Sequence, residues 1–80
     1  MSMIEGINAK ELEKTFTENV KAILKSRGIS QKDYAKAIGM SSFMVSRILN
    51  GKSHVPSLMA LNTSVFLQIK VMQLFKIHYD

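Results

Sequence analysis

The chain has no cysteine. Disulfide frameworks and thiolate metal sites are thereby excluded, which suits a reducing cytoplasm. No secretory leader is expected, because residues 1–14 carry charged side chains and no apolar run. No transmembrane helix is expected either. The longest charge-poor stretch, residues 53–69, is interrupted by His54, Pro56, Asn62, Thr63 and Ser64. Internal repeats and low-complexity segments are missing. So are the groupings that covalent chemistry needs: there is no paired histidine and carboxylate cluster and no phosphate-cradling glycine loop. No enzyme activity, catalytic residue, cofactor or metal is therefore expected. His54 and His78 read as a loop and a tail histidine that share no helix face. Glu11, Glu13 and Glu18 read as a solvated helix face.

Acidic side chains are scarce, six against eleven lysines and arginines, for a net charge of +5. The imbalance is local. Residues 19–56 hold Lys21, Lys25, Arg27, Lys32, Lys36, Arg47 and Lys52 against Asp33 alone, a net +6. Residues 1–18 are net −2 and residues 57–80 net +1. A basic middle segment is the footprint of a polyanion binder, although a lysine-rich solvated surface has the same composition.

Eighty residues make one small domain, and an apolar fraction of 46% is ample for a core. Residues 1–7 read as a loose leader. Asn8 with Glu11 fits a helix start, and Thr15 with Glu18 offers a second one. Leu12, Phe16, Val20, Ile23 and Leu24 fall on one helical stripe. This predicts a helix over residues 9–26, with a break near residues 15–17 left open. Gly28 is placed to end it.

The next segment has the spacing of two short helices joined by a tight turn. Ser30 and Asp33 form a capping pattern for a helix over residues 31–38. Tyr34, Ala35 and Ile38 lie on its inner side, and small Ala35 lets two helices approach closely. Gly39 sits where the turn requires positive φ, with Met40 packed inward. Ser41 caps a third helix over residues 42–49, pinned from beneath by Val45, Ile48 and Leu49. Asn50 and Gly51 end it, since both tolerate left-handed backbone. The outer face of the third helix carries Ser42, Phe43, Ser46 and Arg47. Such a turn presents its second helix to the major groove of DNA.

Residues 17–61 resemble the phage repressor/Cro-like, or xenobiotic-response-element-type, helix-turn-helix family. The matching residues are Gly28-Ile29-Ser30-Gln31, Ala35, Gly39, Val45-Ser46, Ile48 and Asn50-Gly51-Lys52, with Pro56 opening the next segment. The resemblance implies an all-α, lambda-repressor-like bundle of four to five helices that binds double-stranded operator DNA as a homodimer and regulates transcription, most simply as a repressor. It assigns roles residue by residue. Gln31 would touch a phosphate and brace the recognition helix. Ser41 and Ser42 would lie nearest the DNA backbone and the first base, and Phe43 near a thymine methyl or a sugar. Ser46 and Arg47 would face the groove, and Asn50 and Lys52 would grip phosphates. Arg47 is the only guanidinium on that helix, and a bidentate bond to guanine is its best use. Plainer readings exist: Phe43 and Met44 as packing residues, Gln31 as an ordinary helix-start residue, Arg47 as a solvated charge.

Two departures from the family stand out. Where many members carry a basic–acidic pair linking the first and third helices, this chain has Leu24 and Leu49. A hydrophobic contact can replace a buried ion pair without loss. After Ser57 the pattern is less regular. Leu58 and Leu61 fit a fourth helix that closes the core, and Asn62, Thr63 and Ser64 interrupt it. Val65, Leu67, Ile69, Val71, Phe75, Ile77 and Tyr79 then alternate as a strand would. A helical stripe also runs through Leu61, Val65, Ile69, Met72 and Phe75. The chain therefore divides into a leader and helix start (1–14), a helix-turn-helix domain (15–61) and an apolar segment (62–80), helix or strand, expected to pair two copies. Alternatively, residues 65–79 would grip a different protein, as in an antitoxin or protein-binding module.

Overall fold

The computed structural model describes residues 8–77. They form helices α1 (Ala9–Arg27), α2 (Gln31–Ile38), α3 (Ser42–Leu49), α4 (Ser57–Leu67) and α5 (Val71–Leu74). No strand occurs among the described residues. The leader up to residue 7, His78 and Tyr79 lie outside them.

Local chemistry accounts for the boundaries. The Asn8 side chain accepts from the backbone N–H of Lys10 at 2.9 Å and caps α1. α1 then runs unbroken through Thr15–Thr17, where the Thr17 hydroxyl donates back to the Lys14 carbonyl. Ser30 and Ser41 cap α2 and α3 by accepting from Asp33 N–H and Met44 N–H. Gly39, at φ 76°, turns the chain between them. Its N–H reaches Lys36 O, and Met40 N–H reaches back to Ala35 O, which satisfies the last carbonyls of α2. Asn50 and Gly51 end α3, and of the two it is Gly51 that becomes left-handed. Asn50 stays at φ −97°.

The core is formed by Phe16, Val20 and Leu24 from α1, Tyr34, Ala35 and Ile38 from α2, and Val45, Ile48 and Leu49 from α3. Met59, Ala60, Leu67 and Leu74 complete it. Leu24 and Leu49 are both buried there, as the hydrophobic replacement of an ion pair requires. Leu12 is the exception on α1: it is 42% exposed at the outer end of the stripe.

Up to residue 77 the tail forms no strand and is helical only in α4 and α5. α4 continues straight through Asn62, Thr63 and Ser64, because Thr63 points inward and is satisfied there. Its hydroxyl donates to Met59 O at 2.6 Å and lies 2.6 Å from the Tyr34 hydroxyl. The expectation that Leu58 and Leu61 close the core is corrected, since both are exposed. The inward register is Met59, Ala60, Thr63 and Leu67, one residue round the helix. As far as Ile77, the period-two pattern that mimics a strand runs over the end of α4, a turn, α5 and the irregular residues after it.

Three side chains of α1 hold this tail. The Arg27 guanidinium donates to Leu67 O at 2.8 Å, at the C-terminal end of α4, where a cation also suits the helix dipole. The Asn19 amide donates to Leu74 O and Lys76 O, both at 2.9 Å. Phe16 stacks on Phe75 with ring centroids 5.0 Å apart.

α4 ends on Gln68 at φ 57°, the one described non-glycine residue with positive φ. Its N–H reaches Val65 O and Ile69 N–H reaches Ser64 O, the pattern that glycine serves after α1 and α2. A side chain there costs roughly 1 kcal/mol. Gln68→Gly is therefore expected to raise the thermal midpoint of unfolding, by the equivalent of up to about 1 kcal/mol.

Candidate nucleic-acid interface

α3 is fixed from beneath. Val45, Ile48 and Leu49 are buried against α1 and α2, so the opposite face must look outward. Ser42, Phe43, Ser46, Arg47 and Asn50 recur at helical spacing on that face. Ser42, Phe43, Arg47 and Asn50 are exposed, and Ser46 is half-buried. Phe43 is 71% exposed, which removes the reading of it as a core residue. Met44 is exposed at the flank. Asn50 leans on Ser46, its amide 3.4 Å from the hydroxyl.

Gln31 is exposed at the first turn of α2. The Ser41 hydroxyl oxygen accepts the cap bond from Met44 N–H, which leaves its own O–H free to donate outward. Lys32, Lys36, Arg47 and Lys52 are all exposed around this unit, and Asp33 is its only acid. Every side chain anticipated as a DNA contact thus lies on α2, α3 or the turn and loop that bound α3.

Arg47 is not a free charge. Its Nε donates to Ser53 Oγ at 3.2 Å and its Nη2 to Lys52 O at 3.0 Å. Those two N–H groups form one edge of the planar guanidinium. The end-on edge, between Nη1 and Nη2, has no partner among the described residues. An arginine held in this way can brace a loop and still present a fork.

Residues 20–70 match a protein family described as Helix-turn-helix, well over half of the chain. The chain belongs to the Cro/repressor-like helix-turn-helix family. Members are DNA-binding regulators. No curated protein and no solved structure matches the chain. No helix among the described residues is long and apolar enough to cross a membrane.

This helix-turn-helix unit has a support that the sequence reading missed. Glu13 does not sit on a solvated face. It is half-buried on α1, and its two oxygens are engaged by the loop after α3. Oε1 lies 3.1 Å from His54 Nδ1, and Oε2 accepts from Val55 N–H at 3.1 Å. His54, a plain loop residue by its sequence pattern, therefore has a carboxylate partner. The His54 hydrogen bond holds the Glu13 carboxyl below the usual range, with burial opposing and the Val55 N–H adding to it. The available signal was the register. Glu13 stands three and four residues before Phe16 and Thr17, on the buried stripe rather than opposite it.

Proposed function

We propose that the chain is a sequence-specific, double-stranded DNA-binding transcriptional regulator, a repressor that acts as a homodimer inside the cytoplasm. The observation that carries the reading is the outward face of α3. It exposes an aromatic ring, hydroxyls and a guanidinium with an unpaired edge, all rimmed by lysines. Gln31 and Ser41 meet phosphates at helix N-termini, where backbone N–H groups and the dipole favour anions. Ser42, Phe43 and Ser46 line the groove, and Arg47 offers its end-on edge to a guanine. Asn50 and Lys52 hold the next phosphates.

Pairing is assigned to α4 and α5. Leu58, Leu61 and Val65 follow one another at helical spacing on the outer face of α4, and Met72 and Ile77, further along the tail, are also exposed. Val65 and Met72 are 78% and 80% exposed, the most exposed large apolar side chains among the described residues. A two-fold interface across this face would set two copies of α3 about one DNA turn, ~34 Å, apart.

Val65→Asp tests the assembly. Sedimentation of the wild type is expected to show a dimer, and the variant a folded monomer with much weaker binding to duplex DNA. A wild-type monomer that aggregates unless co-expressed with a neighbouring protein would instead assign this face to a foreign partner, as in an antitoxin.

A further inference from the structure

The loop at residues 50–55 carries the proposed phosphate contacts, yet its conformation is set from outside it. On one side Arg47 binds Lys52 O and Ser53 Oγ. On the other Glu13, from α1, binds His54 and the Val55 backbone. Gly51, at φ 75°, turns the chain out of α3 just before these anchors. Backbone bonds from Gly51 N–H to Ile48 O and from Lys52 N–H to Arg47 O tie the start of the loop to α3, and the side-chain anchors fix the stretch that follows.

We propose that Glu13 is a positioning residue for DNA binding, holding the loop so that Asn50 and Lys52 meet the phosphates together. The inference rests on the reading of that loop as a phosphate grip. It runs against simple electrostatics. A carboxylate near a polyanion repels it, so charge alone makes Glu13 a liability and its removal a gain. Here Glu13 spends its charge locally. His54 and the Val55 N–H take up both oxygens, and the ordered loop returns more affinity than the charge costs. Phosphate contacts do not depend on sequence, so a mixed-sequence duplex at low salt is a sufficient probe.

The test compares wild type, Glu13→Ala, Glu13→Gln and Lys52→Ala in binding to that duplex over a range of salt, with unfolding midpoints measured beside it. Glu13→Ala is expected to weaken binding roughly three- to tenfold and to flatten the salt dependence by about one released counterion. Glu13→Gln keeps a carbonyl oxygen for Val55 N–H and is expected to restore most of the affinity, which a charge effect would not do. Adding Lys52→Ala to Glu13→Ala is expected to cost little more, because both act on the same contact. Equal or tighter binding by a folded Glu13→Ala, while Lys52→Ala weakens it, overturns the role of Glu13 alone. Unchanged binding by Lys52→Ala overturns the phosphate grip, and the proposal falls with it.

Discussion

Thr63→Val is expected to destabilise the fold by about 1–3 kcal/mol, although the two side chains have nearly the same shape. Thr63 is fully buried, and its one O–H is committed to Met59 O. The Tyr34 hydroxyl, 2.6 Å away, must therefore be the donor in the bond between them. Valine would leave that O–H in the core with no acceptor, and the cost is the unmade bond of a desolvated group. Burial pushes the Tyr34 pKa up, more than the bond to Thr63 lowers it, so the phenol stays a neutral donor. Tyr34→Phe should cost less, roughly 1 kcal/mol, because Thr63 keeps Met59 O. The double variant should be more stable than Thr63→Val alone, since no orphan remains. Urea midpoints of the four proteins check this order. Additive losses would mean that the pair is not coupled.

Arg47→Ala is expected to remove about 1–3 kcal/mol of discrimination between a preferred site and random duplex, which is roughly five- to 150-fold. The loss has two sources. The end-on edge of the guanidinium would no longer reach a base, and Lys52 O and Ser53 Oγ would lose the bonds that Arg47 donates to them. Arg47→Lys should not rescue the loss. An ammonium has no flat fork, and it cannot hold the loop on one edge while reading on another. Competition binding between a selected site and random duplex measures the ratio directly. A ratio unchanged in Arg47→Ala would confine the residue to bracing the loop.

The helix-turn-helix unit was legible because its signals are local. Ser30, Ser41, Gly28 and Gly39 each act within a few residues of their own position, and the bounds of α2 and α3 follow from them. The exposed face of α3 was equally plain once Val45, Ile48 and Leu49 fixed the inner one. The tail was harder, for a physical reason. α4 is apolar on its outer as well as its inner face, so periodicity does not choose the register, and Leu58 and Leu61 carry the same apolar signal as true core residues. The deciding group is a polar one, Thr63, and its partner Tyr34 lies 29 residues away. The Glu13 bonds to the loop span 41 and 42 residues, and Arg27 reaches Leu67 across 40. No local pattern encodes such pairs.

The central claim is that α3 reads DNA sequence, and selection of bound duplexes from a random pool at moderate salt tests it most directly. The expected result is a two-fold symmetric motif, with half-sites about one helical turn apart, in which one position relaxes when the selection is repeated with Arg47→Ala. A pool that returns no enriched sequence, from a protein shown to be folded, would contradict it.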